Sequence, residues 1–259
     1  MLSLLRFFID LFFLVSVHVR ALHKLSLTHR SPIYNSAPAL FEKYSNSTPV
    51  PVDEWTLSQA MTADTAGGGL NQLEDHYKTF IVCIICCHIS YVYKYSPSAF
   101  QTELDFAQIA GAGLNYVRIP LAYWAIEVWD GEPFLPKTSW TYVVLPVCMS
   151  GTVVDLIICS YFLKAIKWAR KYGLRINLDF HAVPGSQNAW NHSGKMGTVN
   201  FLYGPMGMAN AQRTLDYIRV ITEFISQPQY KDVVTMFGVV NEPRAGPYIG
   251  KENLSDLYV

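Results

Sequence analysis

FGVVNEPR, Phe237–Arg244, decides how the chain is read: an apolar run leads into an amide, a carboxylate and a proline. A short apolar run bounded by proline reads as a buried strand, and here its carboxyl end carries Asn241 and Glu242. Working back, AQRTLDYIRVITEFIS has the spacing of an amphipathic helix and LRINLDFH that of a strand. YFLKAIKWARKYG places Phe162, Ala165, Ile166 and Ala169 on one helical face and stops at Gly173. LNYVRIP is a strand read as ended by Pro120, and a helix is predicted from Thr102, with Asp105 completing a capping pattern. Helix and strand therefore alternate three times, the pattern of parallel strands joined by crossover helices. The strand ends carry Arg118, then Asp179 and His181, then Asn241 and Glu242. In a closed parallel barrel these ends share one face, and in an open parallel sheet they collect along one edge.

Lysine plus arginine (20) balances aspartate plus glutamate (20) in 259 residues, which argues against a nucleic-acid partner. Aromatic residues make up 14% of the chain. That suits either sugar stacking or a large aromatic core. Residues 1–30 read as a signal- or anchor-like leader or as a mistaken start: they are apolar, but Arg6 and Asp10 interrupt the run. Triplets at Asn46, Asn191 and Asn253 permit a secretory route. The stretch from Ser31 to Gly69 is rich in Pro, Ser, Asn and Gly and reads as loop.

Two segments, 82–101 and 142–160, break the alternation and hold all five cysteines. Excising them joins DHYKTFI to TELDFAQIAGAG, and SWT to YFLKAIKWARKYG, with threonine before each helix as an N-cap. Val82-Cys83 can be encoded by the intron-opening bases GTATGT, and Gln101 by the intron-closing CAG. Thr141-Tyr142-Val143 and Ser160 allow the same reading. We read both as retained introns. The other reading is genuine apolar insertions with a CxxCC metal site, which lacks a second ligand cluster of suitable spacing. Val259, encoded by GTN, would open a third intron.

In this order, LNYVRIPLAYW, LDFHAVPGSQNAWNHSG and FGVVNEP resemble glycoside hydrolase family five, within it the fungal exo-β-1,3-glucanase group. The resemblance spans Ala37 to Tyr258 outside the two odd segments. It implies a (β/α)8 barrel, retaining hydrolysis by two carboxyl groups about 5–5.5 Å apart, and no cofactor or metal. It assigns Glu242 as acid/base, protonated through partial burial near another carboxylate. It gives Asn241 the sugar's 2-hydroxyl, His181 the innermost sugar, and Arg118 the nucleophile as ion-pair partner. Trp190 becomes an aromatic wall, with Asn191 and His192 beside it. Taken singly, Arg118 as a structural ion-pair partner, His181 as a core histidine, Trp190 as packing and Asn241 as a turn cap are the plainer readings. Their order on three strand ends favours function.

The family's first strand, with its glutamate for the non-reducing end, is absent, and no residue takes the nucleophile's role. The expectation is therefore an α/β chain over 31–259, a partial (β/α)8 TIM barrel lacking the first strand and the C-terminal half. Its ligand would be a β-glucan polysaccharide or oligosaccharide at the cell wall or cell surface, reached by secretion, with a membrane anchor as the second route. Hydrolysis by the chain as written is not expected. An endo-acting cellulase or mannanase of the same family is the enzymatic alternative, and a non-catalytic glucan-binding or unfolded fragment the other.

Overall fold

The computed structural model describes residues 38–80, 103–136, 161–244 and 246. The leader 1–30, both odd segments, Thr102 and the triplet at Asn253 lie outside them. Helix α1 is Pro38–Lys43, α2 Glu54–Ala63, α3 Asn71–Phe80 and α4 Glu103–Gly111. Strand β1 is Tyr116–Ala122, α5 Tyr161–Lys171, β2 Arg175–Ala182, α6 Gly207–Ile225 and β3 Val234–Gly238. The strands form one parallel sheet in the order β1-β2-β3, so among the described residues β2 is central.

The helices follow from their sequence faces. On α5, Phe162, Ala165, Ile166 and Ala169 are all buried, as their spacing predicts. Gly173 ends this helix at φ 71, a left-handed turn that glycine adopts without a Cβ penalty. The Leu174 amide then donates back to Ala169 O at 2.8 Å, the long-range bond of a glycine C-cap. Phe106 of α4 packs on Trp168 of α5 with ring centroids 5.5 Å apart. On β2 the period of two is strict: Ile176, Leu178 and Phe180 are wholly buried on one face. Asn177, Asp179 and His181 alternate onto the other face, which leaves a polar stripe on the central strand.

Four sequence expectations are corrected. Ser31–Gly69 is not simply loop, since α1 and α2 lie within it. Asp53 caps α2 with a reciprocal pair, Thr56 N donating to Asp53 Oδ1 (2.8 Å) and Asp53 N to Thr56 Oγ1 (3.3 Å). Leu57 and Met61, one turn apart, then bury with Phe41, Tyr44 and Leu73 in a small second core. Pro120 does not end β1; the strand continues to Ala122 because an outer strand tolerates a missing donor. Arg118 accordingly lies inside β1. Helix α6 begins at Gly207, four residues before the predicted start. Strand β3 ends at Gly238, so Asn241 and Glu242 sit on a turn beyond it.

Candidate active site

The polar stripe of β2 gathers the site. Asp179 is almost fully buried, and its Oδ2 accepts from Arg118 Nη2 at 2.9 Å and from the His181 Nδ1–H at 2.6 Å. Register explains the meeting: Arg118 stands opposite Asn177, one pleat before Asp179, so its long side chain reaches diagonally across the strands. On the other side Asp179 stands opposite Gly238, where a Cβ would lie only 3.3 Å from Asp179 Oδ1. The absent side chain makes room for the carboxylate. Arg118 Nη2 also donates to Asn241 Oδ1 at 2.6 Å. That bond fixes the amide so that Nδ2, a donor, is its other end.

The turn carrying Asn241 and Glu242 is held from beneath. Glu242 has φ 46, a left-handed backbone that costs a non-glycine residue about 1–3 kcal/mol unless its surroundings enforce it. The loop after β2 does so. Gln187, fully buried, donates to His181 O (2.7 Å) and Asn241 O (3.0 Å) and accepts from Val183 N (3.3 Å). Its own carbonyl accepts from Arg244 N at 3.0 Å. Asn188 Nδ2 donates to Glu242 O at 3.2 Å.

The same loop carries the aromatic side of the site. His192 Nε2 stands 3.3 Å from Glu242 Oε2, with its ring centroid 5.5 Å from His181 and 5.4 Å from Trp190. Trp190 is 42% exposed. Asn191 Oδ1 and His181 Nε2 are buried with no hydrogen-bond partner among the described residues. Helix α2 braces this loop from outside: Asp53 Oδ2 accepts from Met196 N (2.7 Å), and Gly194 O accepts from Trp55 N (2.9 Å).

Six of the seven residues singled out from sequence therefore meet in one cluster, Arg118, His181, Asn241, Glu242, Trp190 and His192, while Asn191 lies between Trp190 and His192 with its Oδ1 buried and making no contact shown with the others. One expectation about them fails. Glu242 is not partly buried beside a carboxylate. Its side chain is 41% exposed, and the titratable group shown beside it is the His192 imidazole, Nε2 3.3 Å from Glu242 Oε2. Sequence reading passed over Gln187 and Asn188, and saw Asp179 only as a polar strand end. The alternation of Asn177, Asp179 and His181 in a buried strand was the available signal. Among the described residues no cluster of His, Cys, Asp and Glu could hold a metal ion, and the CxxCC motif lies outside them.

No family model matches the chain. It is related in sequence to fungal proteins named "Probable glucan 1,3-beta-glucosidase D". The Aspergillus niger protein is 42% identical over 206 residues, 80% of this chain and 20% of the relative, and the Aspergillus terreus protein is 41% identical over the same length. The chain thus spans about a fifth of the length of these relatives. Among solved structures, rutinosidase from Aspergillus niger matches with a TM-score of 0.54 at 18% identity, over 81% of this chain and 45% of that one. AoRut matches with a TM-score of 0.53 at 20% identity over the same shares. At these identities the structural likeness shows the fold: an α/β arrangement with a parallel sheet.

Proposed function

We propose that this chain carries the acid/base and innermost sugar contacts of a retaining exo-β-1,3-glucanase. Its three parallel strands and the helices between them are then part of a (β/α)8 barrel, and its ligand is the end of a β-1,3-glucan chain or oligosaccharide, met outside the cell or at its surface. The observation that carries the reading is the joint placement of Glu242 and Asn241 on one braced turn, against the Arg118–Asp179–His181 network and facing the Trp190–His192 wall. In this reading Glu242 passes a proton to the leaving glycosidic oxygen. Asn241 Nδ2 is the donor for the 2-hydroxyl, a contact that strengthens in the transition state. The half-exposed Trp190 is read as the aromatic that stacks on a sugar ring. Asp179 is committed to Arg118 and His181 and is not read as the nucleophile; no residue of the chain is assigned that role. What supports the substrate class is the relatedness to proteins named as glucan 1,3-beta-glucosidases.

The test is laminarin binding and glucose release by purified, monodisperse full chain. Saturable binding, weakened roughly tenfold by Trp190→Ala, is the expected result. Binding without release is expected while no nucleophile is assigned, and any release must be lost in Glu242→Gln. Glucose as the only early product supports exo action, and early mixed oligomers assign the endo-acting alternative. A folded chain that does not bind laminarin overturns the reading.

A further inference from the structure

Asp179 has no role in the reading above, yet it is the most buried carboxylate of the cluster and the one on which two of its side chains converge. A carboxylate oxygen can only accept, so at 2.6 Å the His181 Nδ1 must carry the hydrogen. Arg118, at 2.9 Å on the same oxygen, already balances the Asp179 charge. A second proton on His181 would leave this enclosed group with a net positive charge, two cations on one carboxylate. The arrangement with one of each charge is the neutral imidazole with Nδ1–H and a bare Nε2. That bare nitrogen is enclosed and has no hydrogen-bond partner among the described residues. Buried polar atoms in folded proteins are nearly always paired, so an enclosed acceptor at a cluster of this kind marks a place for a donor from a ligand.

We propose that Asp179 is a positioning residue. Through one buried oxygen it holds Arg118 in reach of Asn241 and sets His181 as the Nδ1–H tautomer, so that Nε2 is offered as an acceptor to a hydroxyl hydrogen of the bound ligand. The tautomer stands on the geometry of this chain alone. That the hydroxyl belongs to a glucose unit rests on the function proposed above.

The experiment is a long-range 1H–15N correlation spectrum of the full chain labelled at its histidine rings, taken at about pH 8 where unperturbed histidines are neutral. His181 is identified by the signals lost in His181→Gln. A protonated Nδ1 and a bare Nε2 are expected in the unchanged protein; the opposite tautomer there overturns the proposal without any variant at Asp179. In Asp179→Leu, which removes the acceptor, the ring should shift toward the Nε2–H form, and laminaribiose binding should weaken about tenfold, the loss of one to two hydrogen bonds. Unchanged ring signals in a folded Asp179→Leu protein also overturn it. Added laminaribiose should move the Nε2 resonance and leave the Nδ1 proton in place. If the tautomer is as stated but laminaribiose leaves Nε2 unmoved, the acceptor role toward glucose is refuted, while the positioning of His181 by Asp179 stands.

Discussion

Arg118 and Asn241 are 123 positions apart, yet the guanidinium of one donates to the amide oxygen of the other at 2.6 Å. The bond runs from the first strand to the turn after the third, passing over Asp179 on the strand between them. It explains why a half-buried arginine inside β1 is tolerated: both its acceptors come from elements that the parallel sheet brings alongside.

Removing that arginine should be costly. Arg118→Met leaves Asp179 enclosed without its cation, and breaking such a pair on one side costs about 3 kcal/mol. Arg118→Lys, which keeps the charge but lacks the planar fork, should recover part of the loss. Urea unfolding of the three proteins measures this, and equal midpoints would show that the pair contributes nothing.

The brace under the turn that carries Asn241 and Glu242 should behave as a unit. Gln187→Leu keeps the side-chain bulk but strips partners from Val183 N, His181 O and Asn241 O. At about 1 kcal/mol or more for each buried group left unpaired, the loss should reach several kcal/mol. Released from its scaffold, the Glu242 turn should relax, and the Arg244 amide should exchange its hydrogen faster. Unchanged exchange at Arg244 would mean that Gln187 does not hold the turn.

A second buried ion pair, away from the site, ties the loop after β1 to α6. Arg213 donates to Glu132 Oε1 (2.7 Å) and Oε2 (2.9 Å), and its guanidinium lies 4.1 Å from the Trp129 ring. Burial by itself pushes the Glu132 carboxyl up. The hydrogen bonds from Arg213, the Trp129 amide and the Arg213 charge outweigh this and hold it below its ordinary value of 4.5. A carboxyl depressed on folding stabilises above its unfolded-state pKa, and the contribution is lost as pH falls through the folded value. Stability should therefore fall on the acid side of about pH 4.5, with a shallower fall in Glu132→Gln. Urea midpoints between neutral and acid pH test it; parallel curves for the two proteins would refute it.

Gly194→Ala probes the wall of the site. Gly194 has φ 86, and a Cβ there would lie 2.4 Å from the Trp124 ring. That ring cannot retreat, because it is stacked on Phe134 at 4.0 Å. Strained backbone and overpacking together should cost about 2–3 kcal/mol and shift the loop that carries Trp190 and His192. A lower Tm with an altered near-ultraviolet spectrum is the expected result; an unchanged Tm would show that the loop absorbs the methyl group freely.

What sequence alone determined here is local and periodic. The alternation of helices and strands, the buried face of α5 and its glycine stop all follow from residues two to four positions apart. Spacing within one element sets which way side chains face. Boundaries were less legible. Only the outer place of β1 in the described sheet explains how it runs through Pro120, and β3 stops at Gly238 although its apolar run continues. Short α2 escaped notice because its cap pairs aspartate with threonine and its buried residues are half polar, Glu54 and Ser58 beside Leu57 and Met61. The tertiary structure alone decided that one oxygen of Asp179 serves both Arg118 and His181, that Gln187 reaches 54 positions ahead to Asn241, and that Glu242 stands at the rim rather than under cover. Such contacts depend on strand register and loop path. These are settled when the sheet assembles and the core packs, and no short window of sequence contains them.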